Sequence, residues 1–409
     1  GYGSNLHHVH ADAGTGRKNG GRMLTMEAYL DNSATTRCSE AAKNKMVEAL
    51  TVDFGNPSSM HMKGVEAEKY VKEATTAIAK TLRCQEKEIV FTSGGTESNN
   101  LAIIGTALAN QRAGKHIITT SVEHASVKNT MRFLEEEGFE ITYLPVDANG
   151  QISLERLQQE LREDTILVSM MMVNNEIGAL EPIEEAGKII KDHNPATVFH
   201  VDAIQAYGKF QIIPKRMHID LLSVSGHKIH GPKGIGFLYI KDKTKIRPIS
   251  FGGDQQKGMR SGTINVPGIA GLGVAATEAY DHLEENAEHL YELKAYFTEK
   301  LQQLEDVTIN GKTDRDSAPQ IVSASFVGVR SEVLLHSLED RNIYVSAGSA
   351  CSSNHPSLSS TLLNIGLDHA HQESTLRFSF CPETTKEELD YTYSVLEELL
   401  PMLRRYRRH

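Results

Sequence analysis

Between residues 88 and 240 the hydrophobic positions fall into two alternating patterns. Short, continuous apolar runs at 88–92, 116–120, 140–145, 165–173, 198–201, 221–225 and 234–240 predict strands. Between them, segments with helical spacing predict helices over 99–110, 125–137, 153–161 and 183–194. Strands without polar alternation are covered on both faces. Their regular exchange with helices predicts a mostly parallel α/β sheet.

Beyond residue 266 the pattern changes. A long helical stretch over 267–304, interrupted near 282–286, leads into short strands at 307–310, 320–326, 343–346 and 374–379. A final helix is predicted from Leu389, Tyr393, Leu396, Leu400 and Leu403 on one face, with Thr384 and Glu387 as its capping pair. The expected organisation is a large α/β domain over 42–281 and a smaller α+β domain formed by 26–41 and 282–409. Residues 1–25 are polar and lack an apolar signal segment. They are read as a leader or tag despite His7, His8 and His10, with the natural start at Met26.

Composition narrows the function classes. A formal net charge of −10 disfavours nucleic acid or an anionic membrane as the main partner. No apolar run is long enough to span a bilayer. The cysteines Cys38, Cys84, Cys351 and Cys381 form no CxxC pair. A disulfide framework and a zinc site are therefore not expected, and a cytoplasmic location is.

The chemistry gathers where the predicted strands end, because open parallel sheets bind ligands beyond their carboxyl edge. Ser93-Gly94-Gly95-Thr96, Glu123-His124, Asn174-Asn175-Glu176, Asp202 with Gln205, and Ser225-Gly226-His227-Lys228 each follow a strand. Taken singly, each also fits a structural role: a strand-to-helix turn, a capping aspartate, a core histidine, a surface glutamine. Five on one edge suit the parts of pyridoxal 5'-phosphate. Gly94-Gly95-Thr96 offers N–H donors to a phosphate at a helix start, and matches neither GxxxxGK[ST] nor GxGxxG. Asp202 is placed to hold a pyridine nitrogen protonated. His124 is placed to stack on the ring or shuttle a proton, and Gln205 to reach the phenolic oxygen. Lys228 is placed for Schiff-base chemistry. In the smaller domain, Cys351 sits in the small, polar segment Ser346-Ala347-Gly348-Ser349-Ala350-Cys351-Ser352-Ser353, the setting of a reactive thiol. Cys38, Cys84 and Cys381 lack that setting and are read as structural. Arg377, a charge in an apolar strand, is either salt-bridged or a carboxylate clamp.

Seven segments in order resemble the NifS/IscS-type cysteine desulfurases of the fold-type I coenzyme family. They are Phe54-Gly55-Asn56-Pro57-Ser58-Ser59, Thr92-Ser93-Gly94-Gly95-Thr96-Glu97-Ser98-Asn99-Asn100, Val173-Asn174-Asn175-Glu176-Ile177-Gly178, His200-Val201-Asp202-Ala203, Ser225-Gly226-His227-Lys228, Gly258-Met259-Arg260-Ser261-Gly262-Thr263 and Ser349-Ala350-Cys351-Ser352-Ser353. The resemblance implies a seven-stranded large domain and conversion of L-cysteine to L-alanine, with the sulfur kept on Cys351 as a persulfide. It implies that Lys228 bonds the coenzyme, Asp202 pairs with its ring nitrogen, His124 stacks on it and Gln205 contacts the phenolic oxygen. Thr96, Ser225, His227 and the Gly95 backbone would hold the phosphate, with Thr263 arriving from the second subunit of a homodimer. Asn175 and Arg377 would hold the substrate carboxylate.

The sulfur acceptor is expected to be an iron–sulfur scaffold or a thiolation enzyme. The chain ends at 401–409 without the longer tail that IscS-type enzymes use on a scaffold, which leaves both open. Asp254 stands where many relatives carry a third glycine. The rival expectations are another fold-type I enzyme, such as a selenocysteine lyase or aminotransferase, and a non-enzymatic sulfur-system adaptor. The first would not require Cys351; the second would not bind coenzyme.

Overall fold

The computed structural model describes residues 18–19, 22–23, 26–347 and 359–406. Residues 18–19 and 22–23 pair as a short antiparallel ribbon. The remaining elements run β1 (Ala28–Tyr29), α1 (Glu40–Thr51), α2 (Met62–Leu82), β2 (Ile89–Thr92), α3 (Gly95–Asn110), β3 (His116–Thr120), α4 (Ala125–Glu136), β4 (Glu140–Leu144), α5 (Leu154–Glu160) and β5 (Thr165–Met171). They continue through α6 (Ile183–His193), β6 (Val198–Asp202), β7 (Leu221–Ser225), β8 (Gly236–Ile240), α7 (Val266–Asp281) and α8 (Leu283–Gln302). The last part comprises β9 (Val307–Asn310), β10 (Ile321–Phe326), α9 (Ser331–Glu339), β11 (Ile343–Tyr344), β12 (Ser346–Ala347), α10 (Ser360–Asn364), α11 (His369–Gln372), β13 (Thr375–Ser379) and α12 (Lys386–Tyr406).

Seven strands form the central sheet in the order β2-β8-β7-β6-β5-β3-β4. Only β8 runs against its neighbours. Every residue of β2, β3, β5, β6 and β7 is buried, which explains their unbroken apolar runs. One hydrophobic core lies on one face of this sheet, contributed largely by α2, α6 and α7. A second, built from α3 and α4 with Ile117, Leu167 and Leu238, covers the other. Because β2, β3, β5, β6 and β7 share one direction, their carboxyl ends open on one edge.

A third core joins Leu30, α8, α9 and α12 to the antiparallel sheet β9-β10-β13-β12. The helical stretch after residue 266 does break, at His282 between α7 and α8. The α12 capping pair is Thr385 and Glu388, one residue beyond the expected pair. Thr385 N–H donates to Glu388 Oε1 at 3.1 Å and Glu388 N–H to Thr385 Oγ1 at 3.3 Å. Thr384 Oγ1 instead accepts from Cys381 N–H at 2.9 Å, closing the turn that precedes the helix.

Candidate active site

The carboxyl ends of β2, β3, β5, β6 and β7 surround one cavity of about 300 Å³. Gly95, Thr96, His124, Asn175, Asp202, Gln205, Ser225, His227, Lys228 and Arg377 all line it. Thr263 does not; it is exposed on a loop elsewhere on this chain. Cys351 lies outside the described residues, as do Arg407, Arg408 and His409 and the histidines of the leader.

Lys228 closes a single turn after β7, and its Nζ donates to the carbonyls of Ser33 and, at 3.0 Å, Ala34. Burial, then the charges of Arg377 and Lys209, push its pKa down to about 8. Asp202 ends β6 at 4 % exposure; it accepts from Ile204 N–H at 3.0 Å and Asn99 Nδ2 at 3.2 Å. Burial raises this carboxyl above its ordinary range, a tendency opposed by the Ile204 N–H, His124 and Asn99. The fully buried acid therefore favours a cationic neighbour.

His124 caps α4, its Nδ1 accepting from Ser126 N–H at 3.1 Å. In the neutral ring the proton is therefore on Nε2. The ring stays accessible at the cavity mouth, yet surrounding protein, with Lys228 nearby, holds its pKa below normal against the pull of Asp202. His227 lies on Thr35 Oγ1 at 3.2 Å, and desolvation with the Lys228 and Lys233 charges lowers it to about 4. Gln205 donates Nε2 to the Ser33 carbonyl at 3.1 Å.

Arg377, on β13, reaches across to the main sheet. Its Nη1 donates to the Asn175 carbonyl at 2.7 Å and its Nη2 lies 3.3 Å from Asp31 Oδ1. Its buried Nε has no partner among the described residues. Of the two readings made of Arg377, the salt bridge is present, to Asp31. Some residues at this edge carried no expectation. Asn99, on α3, links Asp202 to Ser126 Oγ; its only signal is its place one turn beyond Thr96. Ser33 and Ala34 act through backbone carbonyls, which leave no trace in residue type. Asn174, in the same turn as Asn175, instead shapes the backbone, its Oδ1 accepting from Glu176 N–H and Ile177 N–H at 2.9 Å.

A family model, Aminotransferase class-V, matches residues 28–392. The chain belongs to the class-V aminotransferase family. Within it, the chain is 44% identical over 384 residues to a cysteine desulfurase IscS of Dictyoglomus turgidum, covering 93% of this chain and 96% of the relative. It is 43% identical over 376 residues to a cysteine desulfurase IscS of Methanosarcina thermophila, covering 92% of each. Among solved structures, a NifS-like protein is 38% identical with a TM-score of 0.88, covering 92% of this chain and all of that one. A structure described as SspA in complex with cysteine is 36% identical, with a TM-score of 0.77 over 88% of this chain and all of that one.

These class-V enzymes use pyridoxal 5'-phosphate, and the cavity fits it. At one end lies the Asp202 carboxylate, buried and short of a counter-charge. At another, α3 begins at Gly95 with no side-chain cap. The Thr96 and Ser225 hydroxyls there make no hydrogen bond to any described residue, so donors for a phosphate are spare. Gly94 has φ 149°, a region reserved in practice for glycine. A Cβ on Gly95 would lie 2.3 Å from Ile204 Cδ1, so the helix start and the Asp202 turn pack without room for a side chain.

Proposed function

We propose that this chain is a pyridoxal-phosphate-dependent cysteine desulfurase, taking L-cysteine to L-alanine and passing its sulfur onward. The supporting observation is the meeting of Lys228, Asp202, His124 and Arg377 around one cavity in a chain so similar to IscS proteins. The coenzyme, bound there, would supply an electrophilic carbon for Lys228 and an electron sink for the substrate.

The chain's own groups do the rest. Thr96, Ser225, His227 and the Gly95 N–H would hold the phosphate, while Asp202 would carry the charge complementary to a protonated ring nitrogen. His124 would stack on the ring, and Gln205 would contact its phenolic oxygen. Arg377, oriented by Asp31 and the Asn175 carbonyl, binds the substrate carboxylate with Asn175. Lys228 is half-deprotonated near pH 8, so it can accept the substrate α-proton in the working range. The Cys351 thiolate attacks the substrate sulfur as the sulfur's bond to Cβ breaks; the sulfur stays on Cys351 as a persulfide, and the bond's electron pair remains on carbon, which is protonated and leaves as alanine. An iron–sulfur scaffold or a thiolation enzyme then takes the sulfur. The working unit is a cytoplasmic homodimer in which Thr263 reaches the partner's phosphate site.

The test is incubation with L-cysteine and a reductant, with alanine and sulfide assayed together and intact mass read for a persulfide. Equal alanine and sulfide, a persulfide on Cys351, and loss of sulfide release in Cys351→Ala with coenzyme retained are expected. Normal turnover by Cys351→Ala would favour a lyase or aminotransferase that does not use this thiol.

A further inference from the structure

A second group of chemically active side chains lies behind the Lys228 turn, facing a different cavity of about 1210 Å³. There His230, Cys381 and Glu383 each present a ligand atom, all within 4.8 Å of one another. Among the described residues no other cluster of three His, Cys, Asp or Glu side chains does so. We infer that His230, Cys381 and Glu383 form a binding site for a borderline-soft divalent cation of the zinc class.

The geometry supports this ligand by ligand. His230 Nδ1 lies 2.8 Å from the Arg37 carbonyl, which can only accept. The proton is therefore fixed on Nδ1, and Nε2 presents its lone pair to the cluster, 3.9 Å from Glu383 Oε2. A histidine ligand is ordinarily oriented in this way, by a hydrogen bond from its other nitrogen. His230 also holds φ 67°, an uncommon conformation for a side chain of this size, stabilised by its N–H bond to Thr36 Oγ1 at 2.8 Å. Cys381 is fixed by the Thr384 turn: its Sγ accepts a weak 3.7 Å bond from Thr384 Oγ1 and is hydrogen-bonded to Glu383 as well. The Glu383 side chain is 75% exposed, so solvent reaches the cluster from its side.

One sulfur, one nitrogen and one carboxylate oxygen is a donor set for zinc rather than magnesium or calcium. Three protein ligands leave the fourth tetrahedral position open to the cavity. Sequence spacing gives no hint of the site. His230 is 151 residues from Cys381, and only the docking of the β13 end against the Lys228 turn brings them together. Burial, then the Glu383 carboxylate, raises the free Cys381 thiol to about 11, so binding must expel its proton. Buried Lys209 opposes the cation from behind, but desolvation lowers its own pKa to about 8. The expected role is a clasp. One ion would tie the turn carrying Lys228, two residues before His230, to the segment following β13, which carries Arg377.

The test uses the coenzyme-loaded full chain and its Cys381→Ser, His230→Gln and Cys84→Ser variants. Zinc binding is measured by competition with a chromogenic chelator, and cobalt by its thiolate charge-transfer band. Wild type and Cys84→Ser should bind one equivalent more than Cys381→Ser and show the band. His230→Gln should bind that equivalent at least about 10-fold more weakly. Coenzyme absorbance and melting temperature in chelator verify that each variant is folded. If folded Cys381→Ser keeps the same stoichiometry and the same cobalt band, the ion sits elsewhere and the inference is overturned. If wild type binds no such equivalent, the cluster is not a metal site.

Discussion

Lys228 is the residue on which the proposed chemistry turns, and its environment sets a measurable pH dependence. Its pKa is pushed down to about 8, first by burial and next by the Arg377 charge. Only the neutral amine can bond an aldehyde, so the reactive fraction grows as pH rises through that value. Recombination of coenzyme-free protein with pyridoxal phosphate should therefore accelerate with pH around a midpoint near 8. In Arg377→Gln one of the charges lowering that pKa is gone, and the midpoint should move upward. Following the rate of visible absorbance growth at a series of pH values checks both. An unchanged midpoint in Arg377→Gln would remove Arg377 from the electrostatics of Lys228. The same side chain shows how far a residue is legible in sequence. Its charge in an apolar strand flagged it, but its partners, the Asp31 carboxylate and the Asn175 carbonyl, are set by how the β13 sheet docks on the main sheet.

At the scale of elements, legibility follows the kind of side chain that is buried. The central strands were readable because both faces are apolar, and the five site clusters because parallel strands deliver their ends to one edge. Helices α1 and α2 carried no expectation. The buried face of α2 is largely Gly64, Ala67, Ala74, Ala79 and Thr81 around Tyr70, Ile78 and Leu82, so small residues blur the hydrophobic period. It packs on α7, whose buried face includes Gly268, Ala270, Gly271, Gly273, Ala275 and Ala276. Close approach of two backbones is what those residues permit. A Cβ on Gly273 would lie 2.6 Å from Ala74 Cβ and 2.7 Å from its Cα, atoms that cannot swing away. Gly273→Ala gains about 1 kcal/mol of helix propensity, while overpacking costs roughly 1–3 kcal/mol. The clash should win, and thermal unfolding should show a lower melting temperature for Gly273→Ala. A higher one would mean that α2 and α7 are free to separate.

For the whole molecule, the question is what would complete the proposed phosphate site. Val47, Leu50, Val52, Phe54, Met60 and Met62 are exposed along α1 and the start of α2, a stretch of apolar surface suited to burial against another copy. Thr263 is exposed and absent from its own chain's cavity, while the Thr96 and Ser225 hydroxyls have no hydrogen-bond partner among the described residues. A two-fold dimer would place each chain's Thr263 in the other's site. A hydrogen bond to a charged phosphate contributes about 1.5–3 kcal/mol, so Thr263→Ala should weaken coenzyme retention roughly 10-fold or more. Whether that bond acts within one chain or between two is decided by co-expressing Thr263→Ala with Lys228→Ala. If the threonine is supplied by the partner, a hybrid dimer contains one site with both residues intact, the lysine from one chain and the threonine from the other. Sulfide release should then exceed that of either variant alone. If Thr263 serves its own chain, every site in the mixture lacks one of the two, and the co-expressed pair should do no better than Thr263→Ala by itself.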